Sequence, residues 1–248
     1  MDVYGLIGKN LSHSKSPEYF NKRFRENNID AEYRLFDVES VDEIESIFKN
    51  TPNLKGLNVT IPYKRSLAFL LDGFSNEVKQ SGSVNTIKII DKKDGKHAIA
   101  YNTDISGFSN SIKDIVEQRP GIRALILGTG GVAHTVSYVF RKLGVFFYFV
   151  SRNPSKVEHM GYNWVTKKAL EQYQIIINCT PVGMHPEEDR CPDINYEFLG
   201  KNNICYDCVY NPQETLFLKK AKQRGALTIG GMQMFLHQAE ESWKIWMG

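Results

Sequence analysis

A glycine-rich loop in the middle of the chain has the residue types and spacing of a pyrophosphate-binding turn. It reads Gly128-Thr-Gly-Gly-Val-Ala133 and follows the apolar run 124–127. The first glycine permits a tight turn at a strand end, the second lets the backbone approach a pyrophosphate, and the alanine lets the next helix pack closely on the strand. The apolar run predicts a buried strand and residues 132–143 predict a helix. Although a glycine triplet alone also suits an ordinary loop, this context predicts dinucleotide binding at a helix amino terminus.

The end of the next apolar run, 145–150, indicates which dinucleotide is bound. An NAD-preferring site places an acidic residue there, about 20 residues beyond the glycines, against the ribose 2′-hydroxyl. This chain instead reads Ser151-Arg152-Asn-Pro-Ser-Lys156, with no Asp or Glu. Arg152 could clamp a 2′-phosphate and Lys156 could add a point charge. The segment therefore favours NADP over NAD, with ordinary solvated surface charges as the alternative.

Polar motifs follow predicted strands in the first hundred residues. They are Ser12-His-Ser14-Lys-Ser16-Pro17, Asn58-Val-Thr60-Ile-Pro62-Tyr-Lys64, Gly82-Ser-Val-Asn85-Thr86 and Asn102-Thr-Asp104. Since α/β proteins bind ligands at strand ends, these motifs are candidates for a substrate site. Each also has a purely structural explanation: Ser16 suits a helix N-cap, Asn85 suits a turn, and Lys64 suits the start of a solvated helix.

The elements around these motifs predict an α/β protein. In the first hundred residues, strands are predicted at 3–7, 31–38, 56–60, 84–90 and 96–102, with a turn at 91–95. Helices are predicted at 17–27, 41–49, 64–71 and 105–117. Beyond the glycine loop, strands at 145–150, 174–178 and 203–208 and a helix at 214–224 predict a parallel, doubly wound sheet. An amphipathic helix at 232–246 could pack back across the first domain.

The composition is that of an ordinary soluble protein. Its 248 residues are 42% hydrophobic, and a net charge of +3 comes from 31 basic and 28 acidic residues without a long charged block. Neither nucleic-acid binding nor membrane binding is expected from this balance. No apolar run approaches the roughly 20 residues that span a bilayer, and no signal peptide is recognised. The chain is therefore expected to be cytoplasmic.

The cysteines do not predict a metal site or a structural disulfide. Cys205 and Cys208 form a CxxC, but residues three apart on a strand point to opposite faces, so their sulfur atoms should diverge. No second CxxC completes a zinc site. We expect the thiols to be reduced and no metal to be required.

Eight motifs, in order along nearly the whole chain, resemble the shikimate dehydrogenase family. They are SHSKSP, NVTIPYK, GSVNT, NTDISG, GTGGVA, NCTPVGM, YDCVYNPQETLFL and GMQMFLHQA. The resemblance implies two domains: an amino-terminal α/β substrate domain at 1–103 and a Rossmann-like, doubly wound NADP-binding domain at 104–230. Residues 231–248 would form a closing helix that returns to the first domain.

The resemblance also implies roles for single residues. Ser14 and Ser16 match serines that hold the substrate carboxylate, and hydroxyl donors suit a carboxylate. The residues that match other substrate ligands are Thr60, Asn85, Tyr210 and Gln238. Those that match cofactor ligands are Gly128, Thr129, Gly130, Gly131 and Val132 at the diphosphate, Ser151, Arg152 and Lys156 at the adenosine phosphate, and Cys208 and Gly231 at the nicotinamide.

The implied reaction is the reversible reduction of 3-dehydroshikimate to shikimate by NADPH, in the chorismate route to aromatic amino acids. Lys64 and Asp104 are the implied catalytic pair: an ammonium can stabilise developing alkoxide charge and donate a proton, while a carboxylate orients the hydroxyl. Which of the two exchanges the proton stays open, since burial and a neighbouring carboxylate act on an ammonium in opposite directions.

Three departures from the family pattern affect the cofactor site: Ser151 where asparagine is more common, Cys208 where methionine is common, and the closing run Gly230-Gly-Met-Gln-Met234 where the family usually has Asp-Gly-x-Gly-Met. Two alternatives remain open. One is a quinate/shikimate dehydrogenase that uses NAD, and the other is a non-catalytic dinucleotide-binding sensor with the same fold. A homodimer is a further expectation.

Overall fold

The computed structural model describes residues 1–93 and 95–248 and divides into two compact units. The first unit contains residues 1–103 and 239–248, and the second contains residues 104–238. Each unit is built on its own six-stranded sheet. Among the described residues, none of the helices combines the length and apolar character that crossing a bilayer requires.

The first unit has a mixed sheet. Its strands are β1 (Asp2–Gly8), β2 (Ala31–Asp37), β3 (Leu54–Val59), β4 (Gly73–Phe74), β5 (Thr86–Lys92) and β6 (Gly95–Tyr101). Their order is β2-β1-β3-β5-β6-β4, and β5 runs antiparallel to β3 and β6. The carboxyl ends of β1, β3 and β6 therefore lie at one edge together with the amino end of β5, and we call this the carboxyl edge of the first unit. The turn predicted at 91–95 includes residue 94, which lies outside the described residues.

The helices of the first unit are α1 (Ser16–Glu26), α2 (Val41–Asn50) and α3 (Asn76–Ser81). Ser40 and Glu43 form a capping box at the start of α2, as the local sequence favours. The expectation that Ser16 is an N-cap is wrong, because Ser16 is already the first residue of α1 and its N–H donates to Ser14 Oγ at 3.2 Å.

The helix predicted at 64–71 is also wrong. The segment forms two separate 3₁₀ turns, Tyr63–Arg65 and Ala68–Leu70. Ser66 explains the interruption, since both its N–H and its hydroxyl donate to the carbonyl of Tyr63, at 3.0 and 3.3 Å. A serine that bonds three residues back in this way competes with continuation of an α-helix.

The second unit has an entirely parallel sheet. Its strands are β7 (Arg123–Leu127), β8 (Phe146–Val150), β9 (His159–Met160), β10 (Ile175–Asn178), β11 (Ile204–Asp207) and β12 (Leu227–Ile229). Their order is β12-β11-β10-β7-β8-β9, so the chain reverses direction across the sheet at β7. Apolar clusters cover both faces, which explains why β7 and β10 are continuous apolar runs. The predicted doubly wound α/β fold is confirmed.

Five helices among the described residues complete the chain: α4 (Asp104–Glu117), α5 (Gly131–Lys142), α6 (Lys167–Gln172), α7 (Leu216–Gln223) and α8 (Met232–Met247). Residues 239–248, which comprise the second part of α8 and Gly248, belong to the first unit, where Trp246 Nε1 donates to the carbonyl of Ile87 at 3.0 Å. The indole lies directly over Gly56, where a Cβ atom would be only 2.4 Å from Nε1, so the absence of a side chain at Gly56 makes room for the ring. The last helix thus returns to the first unit from residue 239, whereas residues 231–238, which were predicted to belong to the closing helix of the first domain, lie in the second unit.

Candidate active site

The glycine loop follows β7, where the strand order reverses, and its backbone is open to a ligand. Gly128 has a φ of 103°, a conformation that favours glycine, and its N–H donates to the carbonyl of Val150 at 2.8 Å. Gly130 is exposed, and within the described part of the chain a Cβ atom there would have no neighbour within 4 Å. None of the described side chains caps α5, which begins at Gly131. The first N–H groups of this helix are therefore available to an anion.

The cationic segment 151–156 begins beside this loop. Val150, at the end of β8, is in register with Leu127 at the end of β7. The Ser151 hydroxyl accepts from the N–H of Asn153 at 3.2 Å, which turns the chain, and Arg152 and Lys156 that follow are exposed. Together, the open helix start and the two exposed cations that follow the adjacent strand fit a dinucleotide with an additional phosphate.

Cys208 and Gly231 are in direct contact in the second unit. A Cβ atom at Gly231 would lie 2.6 Å from the carbonyl oxygen of Cys208, so only glycine fits there. The two residues with an implied role at the nicotinamide are therefore neighbours.

The thiols of the CxxC diverge as predicted. Cys205 packs in the apolar cluster on one face of the second sheet, and Cys208 packs against the cluster on the other face. Cys208 Sγ lies 3.8 Å from Cys179 Sγ, a contact that no motif in the sequence indicated. Burial raises the pKa of the Cys205 thiol to about 12, and the contact with Cys179, together with burial, raises the pKa of Cys208. Within residues 1–93 and 95–248, no three His, Cys, Asp or Glu side chains are grouped to hold a metal ion.

Tyr210 and Gln238 lie in the same part of the second unit. The rings of Tyr210 and Phe235 are 4.7 Å apart, and Gln238 follows Phe235 on the same face of α8. Gly107 allows α4 to approach this region, since a Cβ atom there would lie 2.7 Å from the carbonyl oxygen of Met234 and 3.1 Å from Gln238 Cβ.

The carboxyl edge of the first unit brings several predicted substrate ligands together. Ser14 and Ser16 follow β1, and Thr60 follows β3, with its N–H donating to the carbonyl of Ile7 at 2.9 Å. The Lys64 carbonyl accepts from the N–H of Val84 at 2.7 Å, which holds Lys64 near the start of β5. Ser14, Thr60 and Lys64 are partly buried, and Ser16 is buried.

Asn85 is held by the residue that precedes Asp104. The N–H of Thr103 donates to Asn85 Oδ1 at 2.7 Å, and Asn85 Nδ2 donates to Thr103 Oγ1 at 2.9 Å. Because a backbone N–H can only donate, this pair fixes the orientation of the amide. Asp104 is 5% exposed and begins α4. Lys64 and Asp104 belong to different units, and their pairing stays a prediction.

A buried polar cluster that the sequence reasoning missed supports this edge. Ser242, on the last helix, lies 3.0 Å from Asn58 Nδ2, 2.8 Å from Thr86 Oγ1 and 3.1 Å from Thr103 Oγ1. We call Asn58, Thr86, Thr103 and Ser242 the hydroxyl cluster. The spacing contained a signal, since 235, 239, 242 and 246 form one helical stripe in which only position 242 is polar. A lone polar residue in an apolar stripe requires a buried partner.

Comparison with known proteins agrees with this architecture. Residues 6–87 match the family model for the shikimate dehydrogenase substrate binding domain. An NADP(+) shikimate dehydrogenase of Clostridium perfringens strain SM101 is 38% identical over 100% of this chain and 93% of its own, and one of Clostridium botulinum strain Hall is 35% identical over 99% and 96%. The crystal structure of shikimate dehydrogenase 1 from Peptoclostridium difficile, 34% identical, covers 100% of this chain and 92% of its own with a TM-score of 0.87. From similarity that extends over nearly the whole of each chain, we conclude that this protein belongs to the shikimate dehydrogenase family.

Proposed function

We propose that this chain is an NADP-dependent shikimate dehydrogenase, an oxidoreductase that reversibly reduces 3-dehydroshikimate to shikimate on the chorismate route to aromatic amino acids. The observation that carries the proposal is the full-length similarity to relatives of that name. Substrate binding is assigned to residues 1–103 with 231–248, and cofactor binding to residues 104–230.

The second unit supplies the cofactor ligands in this proposal. Backbone N–H groups of residues 128–132 bind the diphosphate, and Ser151 lies at the adenosine ribose. Arg152 and Lys156 bind the 2′-phosphate, where a guanidinium can form paired charge-assisted hydrogen bonds. Cys208 and Gly231 form the wall at the nicotinamide. NADPH, when bound, supplies a hydride to the substrate carbonyl carbon.

The first unit supplies most of the substrate ligands. Ser14 and Ser16 donate hydroxyl hydrogen bonds to the substrate carboxylate. Thr60 and Asn85 bind ring hydroxyls, and the contact with Thr103 holds the Asn85 amide in a fixed orientation for this task. Tyr210 and Gln238 complete the set from the second unit.

Lys64 and Asp104 carry the proton chemistry. The Lys64 ammonium stabilises negative charge that develops on the carbonyl oxygen, and Lys64 or Asp104 donates the proton to that oxygen. Asp104 orients the resulting hydroxyl and the ammonium. In the direction of alcohol oxidation, the proton that leaves the hydroxyl is taken up either by the Asp104 carboxylate or by Lys64 in its neutral amine form.

Turnover of shikimate with NADP⁺ by the purified protein tests the proposal. We expect the near-ultraviolet absorbance of NADPH to grow with shikimate and NADP⁺, and quinate with NAD⁺ to give little signal. The reverse preference would identify a quinate/shikimate dehydrogenase that uses NAD. Measurable cofactor binding without turnover of either pair would leave the sensor interpretation.

The proposal also includes a cytoplasmic location and a homodimer. Fractionation of cells that produce the protein tests the location. Sedimentation equilibrium of the purified chain tests the dimer, and a monomer mass at every concentration would exclude it.

A further inference from the structure

Asp207, the last residue of β11, is a buried carboxylate to which the proposed reaction gives no role. Its side chain is fully buried. Oδ1 accepts hydrogen bonds from the N–H of Val209 at 2.9 Å and from Asn178 Nδ2 at 3.0 Å, and Oδ2 accepts from Thr215 Oγ1 at 2.6 Å. A buried charge is costly in free energy unless hydrogen-bond donors surround it. The ionised Asp207 side chain therefore depends on these three donors.

The first partner connects Asp207 to the glycine loop. Asn178 ends β10, and its Oδ1 accepts from both the N–H and the hydroxyl of Thr180, at 3.0 and 2.6 Å. Thr180 in turn faces Gly128, since a Cβ atom at that position would lie 2.8 Å from Thr180 Cγ2. The Asp207 carboxylate therefore holds the side-chain amide of Asn178 in place. Asn178 in turn holds Thr180, which packs against Gly128 beside the proposed diphosphate site.

The other two partners hold both ends of the segment that follows β11. Val209 is anchored directly, between Cys208 and Tyr210. At the start of α7, Thr215 Oγ1 accepts a hydrogen bond from the N–H of Leu218 at 3.4 Å. The same Thr215 hydroxyl donates its hydrogen to Asp207. Cys208 lies within this segment, and its carbonyl contacts Gly231.

We infer that Asp207 is a positioning residue for the dinucleotide: through Asn178 and Val209 it fixes the two loops that carry the diphosphate and nicotinamide contacts. It does not touch the cofactor itself. The inference rests on the proposed function for the identity of the ligand, NADP⁺, but its test measures binding apart from turnover.

A matched control lies at the opposite end of the same strand. Asn203, just before β11, is also buried and joins a loop to α6: its Nδ2 donates to the carbonyl of Leu170 and its Oδ1 accepts from the N–H of Gly200, both at 2.9 Å. Asn203 lies at the amino end of the parallel sheet, opposite the carboxyl ends of the strands, where α/β sheets bind ligands. Asp207→Ala and Asn203→Ala therefore remove comparable buried polar side chains at different ends of β11.

The experiment measures the Kd of NADP⁺ by isothermal titration calorimetry at pH 8.5, with urea unfolding of each variant in parallel. We expect Asp207→Ala to raise the Kd about tenfold or more, because misplaced contacts weaken binding, and Asn203→Ala to change it less than about twofold at a similar loss of stability. In turnover, the KM for NADP⁺ should rise more than the KM for shikimate. Equal Kd values for the two variants, or a wild-type protein that does not bind NADP⁺, would overturn the inference.

A second pair of variants decides the matter if Asp207→Ala does not fold. Thr215→Ser keeps the hydroxyl that donates to Asp207, and Thr215→Val removes it at nearly the same size. We expect wild-type affinity for Thr215→Ser and a Kd raised about threefold for Thr215→Val, the loss of one charged hydrogen bond. Equal affinity in both would contradict the positioning role. If the wild-type protein bound NADP⁺ but did not turn over shikimate, only the proposed function would be rejected.

Discussion

The carboxyl edges of the two sheets differ in the groups that they expose. The first unit offers side chains, with Ser14, Thr60 and Lys64 partly buried at the edge. The second unit offers backbone, since Gly128 and Gly130 leave the start of α5 without side-chain cover. A sugar acid with several hydroxyls is recognised through side-chain donors and acceptors, whereas a diphosphate is recognised through rows of N–H groups. Substitutions in the first unit should therefore impair function when they change the chemistry of a side chain. Substitutions in the second unit should impair it when they add a Cβ atom to a glycine.

The buried groups behind the two edges differ in charge. The hydroxyl cluster of the first unit contains only amides and hydroxyls, with Ser242 at its centre. The corresponding network of the second unit is centred on the Asp207 carboxylate. Burial raises the pKa of Asp207 to about 7, against the opposing effect of its three hydrogen bonds. A pH-dependent contribution to stability should therefore reside in the second unit.

The largest expected effect is a pH dependence that Asp207→Asn removes. The folded second unit binds a proton at Asp207 over a range in which the unfolded chain, with the ordinary pKa of 3.8, has released it. The free energy of unfolding of the wild type should therefore fall as the pH rises from about 4 to about 7, by up to about 4 kcal/mol from this group, and then level off. Hydrogen exchange of peptides from β10 and β11, corrected for intrinsic rates, measures this fall.

Neighbouring titratable groups should not obscure this effect. The side chains of Tyr196, Cys205, Tyr206 and Cys208 all respond to the charge of Asp207, and the pKa of each is raised, so they stay neutral across this range. Ser242→Ala is the control from the first unit, with a loss of about 1 kcal/mol that does not vary with pH. An equally steep pH dependence in Asp207→Asn would show that the charged network is not its source.

Lys64→Ala tests the dependence of the first unit on side-chain chemistry. The variant lacks the ammonium that we propose to stabilise the developing oxyanion, so kcat for shikimate oxidation should fall about a hundredfold or more, with a smaller change in KM. Lys49→Ala is the matched control, because Lys49 is an exposed lysine of the same unit that pairs with Glu45. A wild-type kcat in Lys64→Ala would show that the Lys64 ammonium takes no part in catalysis.

The sequence was sufficient to predict the parts of the fold that local physics determines. The buried strand β7, the glycine turn and α5 follow from one apolar run, a positive φ at Gly128 and the small residue at 133, all within ten residues. The helix predicted over 64–71 failed because Ser66 bonds back to Tyr63, a choice between helical and 3₁₀ geometry that apolar spacing does not reveal.

Contacts between distant positions account for what the sequence could not predict. Asp207 looked like the polar end of a strand, and its partners Asn178 and Thr215 come from two other elements. The proximity of Cys179 and Cys208 likewise depends on the register of β10 and β11, in which Asn178 faces Asp207. Such pairs require knowledge of which strands are neighbours, and the strand order is a property of the whole sheet.

Gly130→Ala tests the dependence of the second unit on backbone access. A methyl group at this position meets no protein atom within 4 Å, and its φ of −79° suits alanine, so stability should not decrease. The methyl group would, however, occupy the space through which a diphosphate approaches, and we expect the Kd of NADP⁺ to rise about thirtyfold. Gly200→Ala is the control, because that position is equally open but lies at the amino end of the sheet. Unchanged NADP⁺ binding in Gly130→Ala would mean that the loop does not hold the diphosphate.

Arg152→Ala has the smallest expected effect and tests a position at which the proposed cofactor site of the second unit relies on a side chain. Arg152 is exposed and follows β8, so its removal should leave stability within about 0.5 kcal/mol of the wild type. The KM for NADP⁺ should rise about tenfold because a charge-assisted pair with the 2′-phosphate is lost, whereas the KM for NAD⁺ should not change. Arg190→Ala controls for net charge, since Arg190 is an exposed arginine of the same unit that pairs with Glu187. If Arg152→Ala raised both KM values equally, the guanidinium would contribute only general attraction for an anion, and the preference for NADP over NAD would have to arise from Lys156 or from the missing acid alone.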